Sequence, residues 1–150
     1  MRIRGEYGSK QRLFEIFQKV NDVKLNEDVL PKDKKEEVIN GFIDFACQHL
    51  GMDTSDANVE LSYDPKEAAG MQSFGKQTPS TGEIVVVVAN RNLADILRTL
   101  AHELVHRKQQ LEDRLYMGAG DDGSDIENEA NAEAGVIMRK FGKLNPIIFE

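Results

Sequence analysis

Leu93, Leu97, Leu100, Leu104 and Leu111 recur at helical spacing, and at about 100° per residue they fall on one side of a helix. His102 and His106 fall on the opposite side, together with Asp95, Thr99, Gln109 and Asp113. A helix with one apolar and one polar face has to lie on a core. The segment therefore predicts a long helix from about Leu93 to Tyr116, capped by Asn90-Arg91-Asn92. Its leucines should pack against a sheet, and its histidines should face outward into a cleft.

The rest of the chain divides by period. Leu13, Ile16, Phe17 and Val20 predict a short helix over Lys10–Val20, followed by a polar linker over Asn21–Pro31. Val38, Phe42, Phe45 and Leu50 predict a helix over 32–50 that stops at Gly51. Val59, Leu61 and Tyr63 then alternate with polar residues, as in a half-buried strand. A further strand is expected at Met71–Gly75, a turn at Thr78–Gly82, and the most β-branched strand at Glu83–Ala89. A Gly/Asp-rich loop over Gly118–Asp125 precedes a last helix over Ile126–Phe141. Helices, then short strands, then helices make an α+β layout. Residues 1–31 read as an N-terminal helix and linker, a leader or a lid, ahead of a domain spanning 32–150.

Composition narrows the function. The formal charge is −7, from 19 basic and 26 acidic side chains, which disfavours nucleic acid and anionic membranes as partners. Cys47 is the only cysteine, so neither an internal disulfide nor a cysteine-rich zinc cluster can form, and it reads as core. The longest apolar run, Ile84–Ala89, is too short to span a bilayer, and the N-terminus does not read as a secretory signal. A reducing, cytoplasmic setting is expected.

His102-Glu103-Leu104-Val105-His106 carries the chemistry. Histidines four apart on a helix point the same way and can share one metal ion, of which zinc is the natural choice. Glu103 lies about 100° round from His102, so it can reach a metal-activated water without ligating the metal. The plain alternative is two solvated histidines, and a third ligand has to decide. The only other histidine is His49, and a longer histidine motif would need Gly at 109 and His at 112, where Gln109 and Glu112 stand. A carboxylate remains, and two histidines with one glutamate are a known catalytic zinc set with a position left for water.

The last helix offers Glu127, Glu129 and Glu133. Its apolar stripe is Ile126, Ala130, Ala134, Ile137 and Phe141. Glu129 and Glu133 lie along one edge of that stripe and Glu127 on the other side. One of the paired carboxylates can bind the metal while the other orients a ligating histidine. A solvated acidic helix is the structural alternative.

With these residues the chain resembles the gluzincin branch of zinc peptidases, which includes thermolysin. Asn128-Glu129-Ala130 followed by Glu133 is similar to that group's glutamate motif on the helix after the histidines. The resemblance covers about residues 83–141. It implies a minimal zincin-like domain, with a small, mostly antiparallel sheet packed on the active-site helix and a glutamate-bearing helix after it. It further implies zinc held by His102, His106 and Glu129, with Glu133 supporting a histidine, and a peptide or protein substrate. Glu83–Ala89 would be the edge strand that pairs with extended substrate. The stretch Asn90–Leu100, and Arg12–Phe17 with Leu25-Asn26-Glu27, is similar to small tailed-phage proteins of this type, which implies a host-cytoplasmic or virion location. The chain is shorter than a full gluzincin and lacks its second cleft wall and its oxyanion-stabilising histidine. Tyr116 is the candidate for that last role.

The function expected is thus zinc-dependent peptide-bond hydrolysis, with Glu103 as general base. Two alternatives stand beside it: a zinc-stabilised structural or virion-associated protein, and a DNA-associated protease of the SprT type. Retention of Glu103 argues against the first; net acidity and the lack of a cysteine-type zinc finger argue against the second.

Overall fold

The computed structural model of the 150-residue chain describes residues 2–4, 31–71, 73–78, 80–116, 118–119, 121 and 123–149. The helix expected at Lys10–Val20, and the linker after it up to residue 30, lie outside the described residues.

The architecture is α+β. Strand β1 (Arg2–Arg4) is followed by helix α1 (Lys32–Leu50), strand β2 (Asn58–Ser62) and the short helix α2 (Pro65–Met71). Then come β3 (Gly75–Gln77), β4 (Glu83–Val87), the long helix α3 (Leu93–Leu111) and the last helix α4 (Asp125–Leu144). The strands are ordered β1-β2-β4-β3 in a mixed sheet. β2 and β4 run parallel, with Val59 opposite Ile84; β3 runs antiparallel to β4, with Gly75 opposite Val86; β1 adds an antiparallel strand beyond β2.

Local chemistry explains the ends of the helices. α1 stops where Gly51 takes a left-handed φ of 69° and the Met52 N–H turns back to the Cys47 carbonyl at 2.9 Å. Asn92 caps α3 by accepting the Asp95 N–H at 2.9 Å, and Ser124 caps α4 by accepting the Glu127 N–H at 3.1 Å. α3 ends at Leu111 rather than reaching Tyr116, because Asp113 is left-handed at φ 57° and turns the chain out of the helix.

α3 is the hub of the packing, lying against α1, α4, β3 and β4. Leu93, Leu97, Leu100 and Leu104 are buried as the stripe predicts, alongside Ile96, Ala101 and Val105. Val59, Leu61, Ile84 and Val86 meet them from one face of the sheet, and Phe42 and Phe141 stack edge to face at 4.9 Å between α1 and α4. Two members of the pattern change sides. Leu111 is 47% exposed, since the helix ends there, whereas Gln109 is fully buried.

Two strand expectations need correction. Met71 ends α2, and the strand begins only at Gly75. Nor is Glu83–Val87 an edge strand; it is flanked by β2 and β3, and the edge beside α3 is the three-residue β3. A lone short strand carries too little alternation to be read from sequence, and the edge position of Glu83–Ala89 rests on the family resemblance alone.

Gly75 lets β3 come this close to α3. A Cβ there would lie 2.5 Å from the Thr99 methyl and 3.2 Å from Glu103 Cγ. Gly75→Ala should therefore destabilise the protein by about 1–3 kcal/mol through overpacking. Adding Thr99→Ser, which removes the obstructing methyl but keeps the hydroxyl, should recover most of that loss. Urea unfolding of the single and double variants measures both effects; a single variant as stable as wild type would show that β3 shifts freely.

Candidate metal centre

The two motif histidines occupy consecutive turns of α3 and face the start of α4 rather than open solvent. Their side chains are 20% and 14% exposed. His102 Nε2 and His106 Nε2 approach to 3.0 Å, and the Glu127 carboxylate spans both, with Oε1 at 2.9 Å from His102 Nε2 and Oε2 at 3.0 Å from His106 Nε2. Among the described residues, these three form the group whose ligand atoms all lie within 4.8 Å of one another. A tetrahedral ion with bonds of 2.0–2.1 Å would hold its donors roughly 3.3 Å apart, a few tenths of an ångström wider than the present spacing. Two imidazole nitrogens and one carboxylate suit zinc in chemical type as well as in spacing.

The third member of the cluster is thus Glu127, and the structure places the other acidic candidates elsewhere. Glu129 points to the far side of the site, where Arg114 grips it with Nη1 at 2.8 Å and Nη2 at 2.7 Å, and Gln109 Nε2 donates to it at 3.1 Å. Arg114 first, then Gln109, holds its carboxyl below the ordinary range. Glu133 lies 3.2 Å from His49 Nε2, joining α4 to α1, and touches neither motif histidine. Besides Glu127, the residue that hydrogen-bonds His102 from α4 is Asn131, one turn further on.

The sequence did carry a signal for Glu127. Ser124-x-x-Glu127 has the form of a capping box, which starts α4 at Asp125 and puts Glu127 in its first turn. In such a box the glutamate commonly folds back on its own helix; here it reaches across to α3.

Glu103 lies beside the cluster without joining it. It is 8% exposed and hydrogen-bonds the Gln77 backbone N–H of β3. It forms part of the wall of two clefts. One, of about 250 Å³, runs past Phe74, Gly75, Thr99 and His102; the other, of about 230 Å³, runs past Gln77, His106, Tyr116 and Ile126. Arg91 braces the first by stacking on Phe74 at 4.2 Å and donating to Thr99 Oγ1 at 2.8 Å. Tyr116 stands half-exposed in the second cleft, its hydroxyl donating to Asp125.

Burial shapes the proton chemistry. It holds His102 below its ordinary pKa, helped by neighbouring His106 and opposed by Glu127 and Asn131, and so favours the neutral ring that a metal requires. It also pushes the Glu103 carboxyl from 4.5 to about 7; His106 pulls the other way, Glu127 adds to the rise, and the Gln77 N–H lowers it.

The Glu103 shift gives a stability prediction for the metal-free protein. Between pH 4.5 and about 7 the folded chain keeps a proton that the unfolded chain has lost, so stability falls as pH rises through that window. At about 1.4 kcal/mol per pH unit the loss is on the order of 3 kcal/mol. A glutamine at this position keeps an oxygen for the Gln77 N–H but has nothing to ionise. Glu103→Gln should therefore be more stable than wild type by about 2–3 kcal/mol in neutral and alkaline buffer, with the advantage vanishing in acid. Urea titrations across pH test this, and an advantage independent of pH would count against it.

No family model matches the chain, and no curated protein or solved structure matches it either.

Proposed function

We propose that the protein is a zinc-dependent peptide hydrolase of gluzincin-like design, in which His102, His106 and Glu127 hold the metal and Glu103 is the general base. The observation that carries this reading is the convergence of two imidazole nitrogens and one carboxylate at 2.9–3.0 Å beside the buried carboxyl of Glu103. The ligand set is the one the family resemblance implied, with its carboxylate drawn from position 127 instead of 129.

Zinc, when bound, supplies Lewis-acid polarisation of the scissile carbonyl and makes water more acidic. The protein's own groups do the rest. His102 and His106 offer their Nε2 atoms and Glu127 its carboxylate. Glu103 takes a proton from the attacking water onto a carboxylate oxygen and returns it to the departing amine. A general base works best with a pKa near the working pH, and in the metal-free chain burial raises Glu103 in that direction. The clefts on either side of Glu103 give an extended peptide a path past it, and Phe74 offers it an apolar contact. Tyr116, at the rim of the second cleft, would have to release Asp125 before its hydroxyl could stabilise a substrate oxygen. Among the described residues, no helix is long and apolar enough to cross a membrane.

The purified protein should take up about one zinc per chain. Glu127→Gln should weaken zinc binding sharply, and Glu133→Gln should leave it unchanged. Glu103→Gln should bind zinc as wild type does and lose about 10²–10⁴ in rate on any peptide that wild type cleaves. Elemental analysis and a peptide-library digest measure these outcomes. Zinc uptake with no cleavage of any library member would favour a structural metal site. Retained zinc in Glu127→Gln would overturn the ligand assignment.

A further inference from the structure

Gln109 is polar and fully buried, on the helix face opposite the leucine stripe, which it shares with the two histidines. Its carboxamide is tied at both ends. Nε2 faces the Ile126 carbonyl and Glu129 Oε1, each at 3.1 Å. Neither can donate a hydrogen bond: the first is a carbonyl, and the second belongs to a carboxylate held ionised by the forked grip of Arg114. Turned over, the amide would point its oxygen at two other oxygens, so its orientation is settled by chemistry.

The amide oxygen therefore faces His106 Nδ1, at 2.8 Å. An acceptor in that position requires a proton on Nδ1. His106 Nε2 is then left to present a lone pair towards His102 Nε2 and Glu127 Oε2, each 3.0 Å away. We propose that Gln109 is a positioning residue that, latched by Glu129 and Arg114, holds His106 in its Nδ1–H form and so presents Nε2 for metal binding. Its purpose rests on the metal-site reading above, whereas its geometry does not.

This gives Glu129 a role through two intermediaries, Gln109 and His106, instead of contact with the metal. It also accounts for a buried glutamine whose hydrogen-bonding atoms all have partners. Outer groups that orient a ligating histidine typically change metal affinity about 10–100-fold when removed.

The experiment reads the ring proton directly, in isotope-labelled, zinc-free, full-length protein at alkaline pH, where the imidazoles are neutral. Long-range proton–nitrogen NMR correlations distinguish the two neutral forms. Wild type should show His106 protonated on Nδ1. Gln109→Leu, close in volume but with no acceptor, should move the proton to Nε2, where Glu127 accepts it. Glu129→Ala, on a partly exposed side chain, should give a mixture, because the amide keeps only its Ile126 partner. In zinc titrations Gln109→Leu should bind roughly 10–100-fold more weakly. Wild-type His106 protonated on Nε2 would overturn the proposal, and that measurement needs no variant to fold. A ring proton unmoved by Gln109→Leu would overturn it equally. The two readings fail separately. Nδ1 protonation without zinc uptake would leave the relay standing and sink the metal site, and zinc uptake with Nε2 protonation would do the reverse.

Discussion

Two imidazoles and a carboxylate meet at 2.9–3.0 Å between α3 and the first turn of α4, and much of the packing serves to hold them there. Helices that meet this closely need small side chains between them. α4 supplies Ala130 and Ala134 in its buried stripe, with Ile126 and Ile137 above and below. The Ser124 cap fixes where α4 starts, and hence which acidic residue lies in its first turn. The dipole of α4 favours negative charge at that end, where Asp125 and Glu127 both stand.

The opposite flank of α3 meets a second constraint. β3 comes against the helix at Gly75, close enough that the Gln77 N–H reaches the Glu103 carboxylate. The glutamate of the motif thus belongs to the helix–strand contact, and its histidines belong to the helix–helix contact. One turn of α3 carries both, which is why the sequence spacing alone located the pair of histidines and the separate position of Glu103. The strand partner was beyond that logic. β3 has three residues and no alternating pattern, and it follows a short helix that was itself unexpected.

Helix α1 and the core of α3 were legible because their apolar spacing is long and regular, and Gly51 and Asn92 punctuate them with groups of known preference. The choice among acidic residues on α4 was not legible. Angular position assigns Glu127 to one edge of the apolar stripe and Glu129 and Glu133 to the other, but which edge meets α3 depends on how the two helices cross. That crossing is set by long-range packing with no local signature. The resemblance to a glutamate motif favoured Glu129, while Arg114, placed just beyond the end of α3, claims that residue in the fold. The charge pattern of residues 108–116 held no hint that the helix would stop early and swing Arg114 back toward α4. For the same reason the burial of Gln109 was not legible; the turn at Asp113 and the start of α4 together bury it.

Protons alone serve the cluster poorly, and this favours a cation in it. With its proton on Nδ1, His106 turns an Nε2 lone pair towards the Glu127 carboxylate and His102 Nε2, so these acceptors share at most one N–H, that of His102. Charging His102 is opposed by its burial and by His106 alongside. Gln109 already takes the Nδ1 side of His106. A divalent ion satisfies both nitrogens and the carboxylate at once. A purely structural ion, however, would leave Glu103 unexplained. Its buried carboxyl, pushed up to about 7, destabilises the neutral metal-free fold, and a glutamine would accept the same Gln77 N–H without that cost. A destabilising acid held against two clefts and beside a candidate metal site fits the proposed hydrolase, in which a proton is taken up and returned, better than it fits a metal-stapled scaffold.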